Sequence, residues 1–136
     1  MKYFLDTNLI IDFLAKKPEA TEKIIQIVKE DDSEIFVNRL VYLETLRTIN
    51  LEKTRVFQDS KAAIEMFGFL DISQEIYDKA IGFSRHCKAK GITIKGKCAA
   101  IDFLHFITAK HYELVLLSND KDMEKLASAY AEWIDE

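Results

Sequence analysis

At 136 residues the chain has the length of one ordinary domain, and 49% hydrophobic residues with one proline and four glycines exclude a disordered or low-complexity polymer. The net charge of −4, from 19 basic and 23 acidic residues, argues against a generally basic nucleic-acid-coating surface. Charges interrupt every apolar stretch before membrane-spanning length, Asp6 and Asp12 break the N-terminal run that a signal peptide would need, and Cys87 and Cys98 form neither a disulfide framework nor a Cys-x-x-Cys motif, so a single cytoplasmic domain over residues 1–136 is expected, without membrane association.

In chain order, Tyr3-Phe4-Leu5 reads as a short buried strand, and the apolar spacing of Leu9, Ile10, Phe13 and Leu14 as a helix over 7–15. Pro18 suits the first turn of a second helix over 19–30, which carries Ile24, Ile25, Ile27 and Val28. Glu34-Ile-Phe-Val37 is a strand, followed by helices over about 39–50 and 53–67 and a short edge strand over 69–72. Ser73 opens a helix that should stop near Gly91, and another helix covers 98–111. Leu114-Val-Leu-Leu117 is the most strand-like run, followed by a short helix near 121–129 and a last strand at Glu132-Trp133-Ile134. Alternating strands and helices with short connections predict an α/β fold with a mainly parallel sheet. Ligands of such sheets bind beyond the carboxyl ends of the strands, where strand order reverses.

Two apolar strands end in carboxylates: Leu5 runs into Asp6, and Leu117 into Ser118-Asn119-Asp120-Lys121-Asp122. Strands this apolar are expected at the centre of the sheet, with Asp6 and Asp120 on one edge. Taken singly, each acid has an ordinary reading as a helix cap or turn residue. Glu44 shares a helical stripe with Leu40, Leu43 and Arg47, and an ion pair with Arg47 would account for it. Asp102 is harder to explain that way. Cys98, Phe106 and Ala109 share its face, and His105 and Phe106 stand where a basic i+3 or i+4 partner would be.

A divalent cation would account for all four acids together, because hard cations such as Mg²⁺ and Mn²⁺ take oxygen ligands. Such an ion can activate water and offset charge on a phosphodiester. The four acids equal the chain's negative surplus, so the rest of the surface need not repel RNA. Between Asp78 and Asp102 there is no acid, while Lys79, Arg85, Lys88, Lys90, Lys95 and Lys97 fall there; this run is either a solvated face or a phosphate-contacting rim. No Gly-x-Ser-x-Gly or phosphate-loop pattern occurs.

These residues are where a resemblance enters. Phe-Leu-Asp6-Thr-Asn8, Arg-Leu-Val-Tyr-Leu-Glu44, Ala-Ile-Asp102-Phe-Leu and Leu-Leu-Ser118-Asn-Asp120-Lys-Asp122-Met resemble, in order, the four acidic motifs of the PIN domain family. The sequence is similar to the VapC-type toxins of toxin–antitoxin pairs. The resemblance covers nearly the whole chain. It implies a three-layer α/β/α sandwich around a sheet of four to five strands, and Mg²⁺- or Mn²⁺-dependent cleavage of RNA. It makes Asp6, Glu44, Asp102 and Asp120 the catalytic metal ligands, with Asp122 as a further ligand. Asn8 and Ser118 would support the site through hydrogen bonds. If the chain cleaves RNA, the basic run noted above offers Arg85, Lys88, Lys90, Lys95 and Lys97 to grip its backbone. The implied partners are a small antitoxin and a second copy in a homodimer. His105, Phe106 and Met123 depart from the family's usual residues without removing a ligand.

The alternative from another class is a PIN-like module that binds protein or RNA without cutting, against which the retention of all four acids speaks. Phosphoaspartate chemistry fits worse: haloacid-dehalogenase-like phosphatases place an Asp two residues after the nucleophile, where this chain has Asn8.

Overall fold

The computed structural model describes residues 1–94 and 99–135. Its elements in chain order are β1 (Lys2–Leu5), α1 (Thr7–Leu14), α2 (Pro18–Lys29), β2 (Glu34–Val37), α3 (Arg39–Leu46), α4 (Thr54–Glu65), β3 (Gly68–Phe69), α5 (Gln74–Ala89), α6 (Ala99–His111), β4 (Val115–Leu117) and α7 (Asp122–Ile134). The expected α/β class and parallel sheet are both present. The chain packs as two compact units: one from Met1–Asp71 with Leu114–Asn119, the other from 72–113 with 120 onward.

The first unit holds the sheet, in the order β3-β2-β1-β4. All three pairings are parallel, with Phe4 opposite both Phe36 and Leu116, and Val37 opposite Phe69. From β1 the chain builds outward through β2 to β3, then returns with β4 on the other side of β1. The strand order therefore reverses between β1 and β4, and their carboxyl ends flank the switch point. Tyr3, Phe4 and Leu5 are all buried although alternate side chains point to opposite faces, the pattern of an interior parallel strand. Phe4 and Leu5 join Leu9, Ile10, Val37 and Val41 in this unit's core. Gly68 lets the Phe36 ring pack against the start of β3, because a Cβ there would stand 2.6 Å from Cδ1 of that ring and push it aside.

β4 departs from its expected central place. It is an edge strand of the described sheet, and Val115 is 40% exposed. Its apolar run reflects Leu114, buried just before the strand begins, and pairing along one side only. Strand β3 is the opposite edge, as expected, and shorter than the run 69–72 suggested.

Helix boundaries follow local chemistry. Asp6, Asn38 and Ser73 cap α1, α3 and α5, and Pro18 occupies the first turn of α2. Helix α5 ends in a Schellman motif: Gly91 sits at φ +72°, Gly91 N–H donates to the Lys88 carbonyl, and Ile92 N–H donates to Cys87. Helix α3 stops at Leu46, four residues earlier than its apolar pattern suggested, and hydrogen-bonded turns continue through Thr48 and Ile49.

The second unit is helical, and Phe83 organises its core. This fully buried ring contacts Phe103, Phe106, Tyr130 and Trp133 at centroid distances of 5.6, 5.6, 5.5 and 5.3 Å. The expected last strand at 132–134 is therefore absent. Those residues complete α7, where Leu126, Tyr130 and Trp133 recur at i, i+4 and i+7 and carry two rings onto Phe83. The tertiary payoff of that stripe overrides the strand propensity of Trp133 and Ile134. Helix α6 is buried almost without interruption from Phe103 to Ala109.

Candidate active site

Asp6 lies at the carboxyl end of β1 and is 3% exposed. Its backbone N–H donates to Leu117 O at 2.9 Å, extending the β1–β4 ladder by one residue. Oδ1 accepts from Thr7 N–H at 2.8 Å, and Oδ2 accepts from the Ser118 hydroxyl at 2.8 Å. Asp6 is thus the helix cap that its sequence position allowed. It is also a buried carboxylate whose plane is set from two directions.

Thr7 links Asp6 to Glu44. While its N–H serves Asp6, its hydroxyl donates to Glu44 Oε1 at 2.8 Å, across 37 residues of sequence. Helix α3 turns the half-buried Glu44 toward the start of α1 by this bond. Nothing local in the sequence marks the Thr7 hydroxyl as a bridge between two acids.

Asn8 and Ser118 enter the same network. Ser118 Oγ lies 3.2 Å from Asn8 Oδ1, which also accepts from Asn119 N–H at 3.2 Å. Asn119 continues outward, its Nδ2 donating to Asp12 at 2.7 Å and its Oδ1 accepting from Lys23 at 3.3 Å. Lys17 pairs with the other Asp12 oxygen at 3.2 Å. Asp12 and Asn119 were not singled out from sequence. Only the pairing of β1 with β4 brings their segments together.

The remaining acids belong to the second unit. Asp102 stands in the first turn of α6 and is half-buried rather than enclosed, so its apolar neighbours overstated its burial. Asp120 Oδ1 accepts from Asp122 N–H at 2.9 Å, and Met123 N–H donates to the Asp120 carbonyl, which together start α7. Asp122 is 8% exposed and pairs with Lys125 at 3.4 Å. That neighbour supplies a structural partner for Asp122.

Arg85 and Lys88 are exposed on α5, and Lys90 is exposed at its C-cap. Lys79 pairs with Glu75 one turn back, at 3.3 Å. Lys95 and Lys97 lie outside the described residues, as does Cys98. Burial pushes the Cys87 thiol above its usual pKa, which suits packing rather than nucleophilic work. Among the described residues, no helix is long and apolar enough to cross a membrane.

The carboxylates of Asp6 and Glu44 supply the hard oxygen donors that Mg²⁺ and Mn²⁺ take. The donor chemistry fits such an ion. Among the described residues, however, no three His, Cys, Asp or Glu side chains are grouped as a metal centre.

A family model described as the PIN domain matches residues 3–129. No curated protein is significantly similar in sequence. Among solved structures, the chain resembles one in VapBC2 from Rickettsia felis bound to a DNA fragment of its promoter. That match has a TM-score of 0.73 at 20% identity and covers 93% of each chain. It resembles one in VapBC-1 from nontypeable Haemophilus influenzae, with a TM-score of 0.72 at 20% identity over 94% of this chain and 93% of that one. A chain in a toxin–antitoxin complex from Klebsiella pneumoniae matches with a TM-score of 0.67 at 21% identity, covering 88% of each.

Proposed function

The chain belongs to the PIN domain family, and from that premise we propose that it is a metal-dependent endoribonuclease, the toxin of a toxin–antitoxin pair. The observation that carries the reading is the setting of Asp6. It is a nearly inaccessible carboxylate at the switch point of a parallel sheet, held by Thr7 and Ser118 and coupled through Thr7 to Glu44. A cap alone does not require a second acid tied to the same threonine.

In this reading Asp6, Glu44, Asp102 and Asp120 would hold Mg²⁺ or Mn²⁺, with Asp122 the weakest ligand because Lys125 engages it. The order of the four motifs and the family match support that set. When bound, the cation supplies Lewis-acid stabilisation of the phosphodiester and lowers the pKa of water. The protein's own part is orientation. Ser118 and Thr7 leave Asp6 few rotamers, and Asn8 with Asn119 keeps Ser118 in reach of it. Arg85, Lys88, Lys90, Lys95 and Lys97 would meet the RNA backbone, a role consistent with the exposure of the first three. Likeness to chains in toxin–antitoxin complexes supports a small antitoxin as protein partner. The same reading includes a homodimer and a cytoplasmic location.

The test is cleavage of single-stranded and structured RNA with Mg²⁺ or Mn²⁺, with Asp6→Asn alongside. Cleavage by the wild type that the variant and EDTA both abolish is expected. Equal activity of Asp6→Asn would reject the assignment. The second reading is a PIN-like adaptor that binds without cutting. RNA binding without cleavage in either metal would select it.

A further inference from the structure

The Arg39 side chain rests on two aromatic rings. Its guanidinium carbon lies 4.0 Å over the Phe69 ring centroid and 5.2 Å from that of Tyr42. The two rings meet edge to face at 5.8 Å. Among the described residues no carboxylate pairs with the exposed Arg39. The neighbouring acid, Glu65, accepts from the Tyr42 hydroxyl at 2.9 Å and faces Lys61 at 3.9 Å. Burial and that bond to Glu65 push the Tyr42 phenol up in pKa, while the Arg39 charge pulls the other way. This cation–π contact rests the guanidinium on the Phe69 face, and among the described residues no carboxylate takes its N–H donors. That is the form in which arginine receives a planar or tetrahedral anion.

The sheet determines where this cation stands. Val37 ends β2 opposite Phe69 at the end of β3, and Arg39 follows two residues later. Strand β2 is also the neighbour of β1, which ends at Asp6. All of these belong to the first unit and to the carboxyl edge of its sheet. At about 4.8 Å between strands, the Phe69 stack stands two strands, roughly 10 Å, along that edge from Asp6.

The geometry points to Arg39 as an RNA-phosphate contact: stacked on Phe69 and Tyr42, it receives a backbone phosphate of single-stranded RNA that runs along the strand ends toward Asp6. The assignment rests on the ribonuclease reading and adds a grip on the β3 side of the sheet. The basic run of residues 79–97 does not include this position. An ammonium would supply the charge but not the stacked, forked donor plane.

The experiment measures binding of a fluorescent single-stranded RNA oligonucleotide by anisotropy, without divalent cation, with the whole chain in an Asp6→Asn background. Arg39→Met keeps an apolar stem on Phe69 and removes the charge. It should bind about tenfold more weakly at low salt, the loss of one charge-assisted hydrogen bond. The slope of log affinity against log salt should become shallower by about 0.7. Arg39→Lys should keep the slope and recover only part of the affinity. If Arg39→Met fails to fold, Phe69→Leu carries the test: weaker binding at unchanged slope is expected, and unchanged affinity overturns the assignment. Equal affinity and slope in folded Arg39→Met also overturns it, and would leave the stack to an acidic protein segment. Wild-type cleavage of RNA alongside such a result would spare the ribonuclease reading. Neither binding nor cleavage by the wild type would remove both.

Discussion

Ser118 donates its hydroxyl hydrogen to Asp6 Oδ2 at 2.8 Å across 112 residues of sequence. The bond closes the gap between the ends of β1 and β4, where the strand order of the sheet reverses. One Asp6 oxygen is thereby fixed from β4, while the other is fixed by the first amide of α1. A carboxylate restrained from both sides needs little rearrangement to act on a ligand, which is the physical value of preorganisation.

Ser118→Ala tests that restraint. The expected cost is about 1.5–3 kcal/mol of stability, from one hydrogen bond to a nearly buried carboxylate. RNA cleavage should fall by more than the loss of folded protein explains, and Ser118→Thr should recover most of it. Denaturant unfolding and cleavage rates at saturating metal separate the two effects. A stability loss with unchanged turnover would reduce Ser118 to a packing residue.

Thr7→Val removes the donor to Glu44 while keeping shape and the N–H that serves Asp6. Stability should fall by about 0.5–1.5 kcal/mol, and the dependence of cleavage on metal concentration should move to higher concentration. Thr7→Ser should restore both. If Thr7→Val leaves the metal dependence where it was, the Thr7–Glu44 bond serves only to dock α3 on α1.

Binding of Mn²⁺ by the folded chain should raise the melting temperature progressively. At one hundred times Kd the gain is about 2.7 kcal/mol of stability. Glu44→Gln and Asp6→Asn should each blunt the rise, and Asp122→Asn should blunt it least because Lys125 already engages that side chain. Calorimetry across millimolar Mn²⁺ makes the measurement, and a flat response in the wild type would favour the adaptor reading.

Cys87 is fully buried and its thiol is pushed up in pKa by that burial. In a Cys98→Ser background, a thiol reagent at mildly alkaline pH should react with the native protein far more slowly than with the urea-unfolded chain. Comparable rates would mean that the second unit opens readily around α5.

Much of the local structure was legible because its causes are local. Caps at Asp6 and Ser73, Pro18 at a helix start and Gly91 past a helix end act over a few residues, and each marked a real boundary. The Asp6-Thr7-Asn8 and Ser118-Asn119-Asp120 segments stood out because polar residues interrupt apolar strands at their carboxyl ends. Misreadings arose where distant packing decided. Residues 132–134 have strand-like composition, yet Trp133 is drawn into α7 by Phe83, fifty residues earlier in the chain. The apolar run of β4 could not distinguish an interior strand from an edge, because that depends on which strands pair beside it.

By itself, then, the sequence determined the α/β class, most helix starts, and a short set of acids that resemble the motifs of the PIN family. Periodicity, capping and motif order are written in neighbouring residues. Only the tertiary structure decided that Ser118 holds Asp6, that Thr7 joins Asp6 to Glu44, and that Arg39 lies unpaired on Phe69 among the described residues. Each of those contacts joins residues about 30 or more positions apart in the chain, or depends on one that does. Sequence spacing carries no distance at that range, and the pairing of strands supplies it.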